Sequence, residues 1–272
     1  MQSTDPKVNS SRISKGHRLR KDDVYIDSAK QYKSVLKDAG VVVDRKVRFE
    51  IIKGLVDVSS SQLEAIPDLP FDLLQELTDL VESPSLIEGS IDSIFLELPP
   101  EVLSTVMKVH QRYIPLYLKS AEKDPLLLNS KSTLLPTFLC VCNSLEDSND
   151  IVRLGNERVL RARLSDAQFF LKTDLAKSSY ERAKNLESVV FAAGLGSLLD
   201  RVNRIKWIAK YLALKLSFDD RKGDFAIQAA ALSKNDLVSQ MVGEFPELQG
   251  LMGAKYILSE GKEFEIAIAI FE

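Results

Sequence analysis

The sequence predicts an α+β amino-terminal half followed by an all-α half, so that the chain is predominantly helical. Between Asp23 and Asn143, short strand-like runs alternate with helical patterns and are bounded by Pro, Gly and Ser. From Ser148 onward every apolar pattern reads at helical spacing. A hydrophobic content of 45% with 28% charged residues is that of a globular chain, not a disordered one. The organisation that follows is a polar tail over residues 1–20, an α+β domain over 21–147 and a helical domain over 148–272.

The elements can be justified in order. "DVYIDSAKQYKSVLKDAGVVVD" reads as a short strand, then a helix capped by Asp27 or Ser28 and ended by Gly40. "RKVRFEIIKGLVDV" resumes a helix, and "SSSQLEAIPDLP" reads as a connection. "FDLLQELTDLVES" sets Leu73, Leu77, Leu80 and Val81 at helical spacing before Pro84 ends it, and "SLIEGSI" reads as a strand. "LPPEVLSTVMKVHQRY" starts a helix with Pro100 in its first turn; Pro115 breaks it, and "IPLYL" is a strand. A polar insertion, "EKDPLLLNSKS", precedes the strand "LPTFLCVCN". Cys140 and Cys142 alternate along that strand and are expected to be reduced and partly buried. Without Cys or His companions they are not expected to hold a metal.

The termini read as cut edges. "MQSTDPKVNSSRISKGHRLRK" is polar and lacks an apolar core, which excludes a secretory signal. "KEFEIAIAIFE" stops inside an apolar helical pattern with no capping Gly or Pro, so the helical domain is expected to be truncated and the chain to be part of something longer. No apolar run is long enough to cross a bilayer, which predicts a soluble chain without a membrane partner.

Charge is segregated. Residues 1–53 hold 13 Lys/Arg against 7 Asp/Glu, whereas residues 54–105 hold 11 acids and no base. Arg153 to Lys222 carries 15 basic and 8 acidic groups. With a net charge of −3 the chain has no uniformly basic footprint, so DNA coating is not expected, but a local basic surface can meet a polyanion.

"GNERVLRARLSDAQFF" sits inside that basic part. Placed on a helix, Leu160, Leu164, Ala167 and Leu171 form the buried stripe, with Val159 and Phe170 on its flank. Asn156 is the expected N-cap, with Glu157 in the first turn. Arg163 falls near the apolar stripe and is expected to pair with Asp166, three residues on. Arg158, Arg161 and Lys172 share the outer face, where phosphate or an acidic partner could meet them. In "SLLDRVNRIKWIAKYLALKL", Leu198, Val202, Ile205, Ala209, Leu212 and Leu216 line one stripe, with Trp207, Tyr211 and Leu214 nearly opposite. A helix covered on both faces is expected; the alternative is that Trp207 and Tyr211, beside Arg204, form a stacking platform for a base or a partner.

These blocks resemble a known family. "GNERVLRARLSDAQFF" with the following "KTDL", "VVFAAGLGSLLDRVNRI", "ALSKNDLVSQMVGEFPELQGLMGAKY", "LELPPEVLSTVMKVHQRYIPLY", "LLQELTDLVESPSLIEGSI" and "KGHR" are similar to the beta subunit of bacterial-type glycyl-tRNA synthetase, from Lys15 on. The resemblance implies a central part of that subunit, or of the beta-like region of the fused organellar form. It implies glycine–tRNA ligation driven by ATP, with the chemistry in an alpha subunit or alpha-like region and tRNA recognition and assembly in the beta part. ATP and Mg belong to the complete synthetase. No cofactor, catalytic residue or metal ligand is expected in this segment. The partners implied are the alpha part and tRNA-Gly; the compartment is the cytoplasm in a bacterium, or the chloroplast or mitochondrion in a plant. Ser83 and the insertion "SAEKDPLLLNSKSTL" depart from the bacterial pattern and point to a plant-like lineage.

The family's helical half is similar to the HD fold, so residues 148–272 are expected to be HD-like. Where that fold's His-Asp dyad would stand, this chain has Asn235 before Asp236, and His17 and His110 lie far upstream. A phosphohydrolase is therefore the minor alternative. A non-catalytic interaction scaffold is the other.

Overall fold

A computed structural model describes residues 11–20, 22–121, 124–144 and 149–271. Two compact units emerge. The described residues up to Ser90, with Arg112–Lys119 and Thr137–Arg158, form the first; Ile91–Gln111, Ser120–Pro136 and the residues from Val159 form the second. The chain thus passes between the units several times.

In the first unit a small antiparallel pair, β1 (Ile13–Lys15) with β2 (Asp23–Tyr25), precedes α1 (Tyr32–Asp38). The expected cap at Ser28 makes no side-chain bond and opens only a 3-10 turn, Ala29–Gln31. Helix α2 (Arg45–Gln62) is capped by Asp44, which accepts from the Lys46 N–H. It runs through the serines expected to form a connection, because Ser59 and Ser60 face inward and are buried. The missed strand β3 (Ala65–Pro67) follows, then α3 (Phe71–Leu80), which buries Leu73, Leu74 and Leu77 but leaves Leu80 exposed. Strands β4 (Ser85–Ser90), β5 (Ile114–Leu118) and β6 (Leu134–Cys142) complete a sheet of order β3-β5-β6-β4. Pro67 is tolerated because β3 is an edge. Helix α2 packs on α3, β3 and β4, and its Ile52 and Val56 are buried.

On β6, Cys140 and Cys142 fall two residues apart on one face, free and buried, with sulfurs 3.5 Å apart. Cys142 beside it pushes the Cys140 thiol up. His17 is almost wholly buried and structural: its Nε2 faces Asn143 Oδ1 at 3.0 Å, and its Nδ1 accepts from the Leu19 N–H.

In the second unit, α4 (Pro100–Thr105) continues as a π-turn to His110, whose ring packs edge-on against Phe245. The long α5 (Asn149–Leu175), whose residues up to Arg158 belong to the first unit, begins before the expected N-cap, so Asn156 lies inside it and donates to Cys140 Sγ instead. Glu157 is likewise taken by the Ser90 N–H and hydroxyl, each at 2.9 Å. Next come α6 (Ser179–Asn185), α7 (Leu198–Lys215), α8 (Asp220–Leu232), α9 (Gln240–Glu244), α10 (Leu251–Ser259) and α11 (Phe264–Phe271). Capping boxes Ser178/Glu181 and Ser197/Asp200 start α6 and α7. A two-stranded hairpin, β7 (Val190–Ala192) with β8 (Gly196–Ser197), interrupts the expected all-helical run; Gly194 and Gly196 close it at positive φ.

The helical core gathers Leu186, Leu198, Val202, Leu232, Ile257, Ile266 and Ile270, and α7 packs on α8, α8 on α11 and α11 on α10. Leu126 joins it, and Ser130 donates to the Leu98 carbonyl, so part of the supposed polar insertion is core. Helices α7 and α10 end alike: Phe218 N–H returns to Ala213 O and Lys262 N–H to Ile257 O. The residue at the bend is Gly261 after α10 but Ser217, at φ 54°, after α7.

Candidate nucleic-acid interface

On α5 the wheel expected from sequence holds for Leu160, Leu164 and Ala167, which are buried, while Leu171 and Phe170 are half-buried and Val159 is exposed. Arg158, Arg161 and Lys172 point outward. They are not equivalent. Arg161 Nη1 lies 3.0 Å from Asp92 Oδ2, so part of its charge is answered. Arg158 and Lys172 have no hydrogen bond or ion pair among the described residues. Arg163 is exposed rather than partly buried, and its partner is Glu244, 3.6 Å away, in place of Asp166. The long guanidinium reaches to a neighbouring element instead of along its own helix, and Asp166 stays in solvent.

Helix α7 differs more from expectation. Leu198, Val202 and Ala213 are buried, but the lower half of the predicted stripe, Leu212 and Leu216, is exposed. The opposite side is open as well: Trp207 is 68% and Tyr211 50% exposed, and Leu214 also faces solvent. The idea of a helix covered on both faces fails here. The two rings lie 5.9 Å apart with planes 11° from parallel. Arg204 stands one turn before them and adds a favourable charge to Asp200, whose carboxyl the Ser197 N–H and hydroxyl chiefly hold below its usual range.

A buried polar centre surrounds Asn235 and Asp236. Asn235 is fully buried; its Oδ1 accepts from Arg182 Nε and its Nδ2 donates to the Leu232 carbonyl. Asp236 Oδ2 accepts from the N–H groups of Gly250 (2.6 Å) and Gly253 (3.0 Å), capping α10. A Cβ at residue 253 would stand 3.1 Å from the Asp236 carboxyl carbon, so glycine makes the approach possible. Asp174 caps α9 in the same manner, accepting from Gln240 and Met241 N–H and from the Tyr256 hydroxyl at 2.7 Å. Both carboxylates are committed to backbone donors.

Asp236 Oδ1 has no hydrogen-bond partner among the described residues, and burial raises the carboxyl's pKa. Its folded pKa therefore lies above its unfolded one, so the folded state holds the proton more tightly and stability from this group rises as pH falls through that window. Against Asp236→Asn, which lacks the titration, the wild type should gain stability when pH is lowered from neutral toward the carboxylate range. Parallel urea titrations at several pH values check this; a difference that stays flat would remove the claim. Asp236→Ala should cost about 1–3 kcal/mol more than Asp236→Asn, because it leaves two buried N–H groups without an acceptor.

Comparison with known proteins decides the family. A family model for the glycyl-tRNA synthetase beta subunit matches residues 2–272. The chain belongs to the glycyl-tRNA synthetase beta-subunit family. It is 43% identical over 269 residues to a glycine–tRNA ligase beta subunit of Trichodesmium erythraeum, covering 98% of this chain and 36% of that protein. A glycine–tRNA ligase beta subunit of Bacillus subtilis is 40% identical over 265 residues, covering 97% of this chain and 37% of that protein. The chain thus spans just over a third of the length of these curated beta-subunit relatives. Among the described residues, no helix is long and apolar enough to cross a membrane.

Proposed function

We propose that this chain serves glycine–tRNA ligation as a non-catalytic, tRNA-contacting part of the synthetase, partnered by an alpha subunit or alpha-like region that binds ATP and Mg and forms glycyl-adenylate. Membership of the beta-subunit family supports the assembly, since the relatives are named as beta subunits of glycine–tRNA ligase. The observation that carries the RNA contact is the outward cationic face of α5, where Arg158 and Lys172 stand without acidic partners among the described residues. Such groups neutralise phosphate without reading sequence. The HD-like reading of the helical half belongs with this proposal as a scaffold only: Asn235 stands at the dyad position, and Asp174 and Asp236 cap helices.

Arg158→Glu with Lys172→Glu should weaken tRNA-Gly and non-cognate tRNA alike. It should also lower the slope of log affinity against log salt by about 1–2, because fewer counterions are released. The check is a titration of each tRNA at several salt concentrations into the chain assembled with the alpha part. Unchanged affinity and slope would return these residues to the ordinary solvated surface. The chain alone, given ATP and glycine, should show no glycine-dependent pyrophosphate exchange; measurable exchange would place catalysis in this segment.

A further inference from the structure

From Arg201 to Phe218 the chain carries five cations, Arg201, Arg204, Lys206, Lys210 and Lys215, and no carboxylate. On the α7 wheel, Trp207 and Tyr211 point directly away from the buried Leu198, Val202 and Ala213, with Arg204 and Lys215 along one side and Lys210 along the other. Lys215 Nζ lies 5.7 Å from the Tyr211 ring centroid, while Lys206 and Lys210 make no hydrogen bond or ion pair among the described residues. An aromatic pair of this exposure would be a liability on a surface meant for water alone. A protein-binding face centres on apolar residues with few charges at its middle. Here Leu214 stands beside the rings, but every charge that flanks them is a cation, which is the pattern of a strip that follows a polyanion while bases lie on aromatic faces.

We propose that the outer face of α7 binds unpaired RNA nucleotides, with Trp207 and Tyr211 stacking bases and Arg204, Lys210 and Lys215 meeting the adjoining phosphates. This deepens the RNA-contacting reading above and rests on it, but uses a different helix and a different mode of contact. Duplex RNA keeps its bases stacked inside and offers along its grooves phosphates, 2′-hydroxyls and base edges but no open base face.

Trp207 is the chain's one tryptophan, so its fluorescence reports on this face alone. The test titrates an unstructured twelve-nucleotide RNA of mixed sequence, and a blunt RNA duplex with the same number of phosphates, into the full chain. Single-stranded RNA should quench Trp207, and the duplex should not. Tyr211→Ala and, followed by anisotropy of labelled RNA, Trp207→Leu should each weaken single-strand binding about tenfold with the salt slope unchanged. Both side chains are exposed, so thermal unfolding should stay within a degree or two of wild type; a variant that unfolds early is replaced by Trp207→Phe, which should retain most of the binding. Equal quenching by both RNAs, or full affinity in Trp207→Leu, would overturn stacking. Quenching by added alpha subunit, or by raising the chain's own concentration, with none by RNA, would assign the face to a protein instead and also overturn it. Should tRNA bind and respond to the α5 reversals without any Trp207 signal, this inference alone fails. Should Trp207 respond while the α5 reversals do nothing, only the α5 contact fails.

Discussion

Arg182→Ala should cost the second unit about 3–5 kcal/mol, the range for removing one member of a buried charged network. The side chain of Arg182 is only 3% exposed. Its guanidinium lies 4.2 Å over the Tyr256 ring and donates to Asn235 Oδ1, Ser179 Oγ (2.7 Å), Glu260 Oε1 (3.4 Å) and the carbonyls of Asp174 and Lys177. Truncation strands those acceptors in a buried site and leaves Glu260 without its cation. Arg182→Lys should recover only a minor part, because one ammonium cannot serve acceptors spread around a planar fork. Urea unfolding followed by far-ultraviolet circular dichroism measures both. A loss below 1 kcal/mol in Arg182→Ala would mean that water replaces the guanidinium at little expense.

Gly89→Ala should also destabilise the first unit, although it adds only one methyl group. Gly89 on β4 is paired across from Phe138 on β6, and a Cβ built there would stand 2.3 Å from the ring's Cζ and 2.5 Å from Cε1. The ring cannot swing aside cheaply. Phe138 is buried and stacks on Tyr113 with centroids 4.7 Å apart and planes at 20°. The expected cost is about 1–3 kcal/mol, read from the same unfolding experiment. Phe138→Leu in the Gly89→Ala background should restore part of it by vacating the space, and failure of that rescue would place the damage in the strand backbone rather than against the ring.

How far the sequence could be read depended on the range of the interaction. Helix α3, strands β4, β5 and β6 and the inward stripe of α5 are written in local periodicity and proline placement, and all were legible. The serines ending α2 look like a loop by composition, yet Ser59 and Ser60 lie inward, with Ser59 donating to Glu88 of β4. A distant partner overruled a local preference. The same holds for Asn156, drawn from an expected N-cap by Cys140, and for Arg161, answered by Asp92. Periodicity sorted the α5 cations onto the outer face, but it could not say which of them were already paired. On α7 it found two apolar sides without telling which were covered, because coverage depends on elements that the local pattern does not contain. His17 gave only a weak signal: in "KGHR" nothing announces that its ring will meet Asn143.

The two helix ends that share one bend have a bearing on heat tolerance. After α10 the left-handed residue is Gly261, which accepts that backbone freely; after α7 it is Ser217, and after α2 it is Glu64, at φ 54° and 52°. Each side chain held there costs about 1 kcal/mol relative to glycine. The molecule therefore operates with unused thermal headroom at two exposed positions, outside both the core and the cationic faces. A lineage moving to a hotter habitat could draw on that headroom by single substitutions without rebuilding either proposed RNA contact.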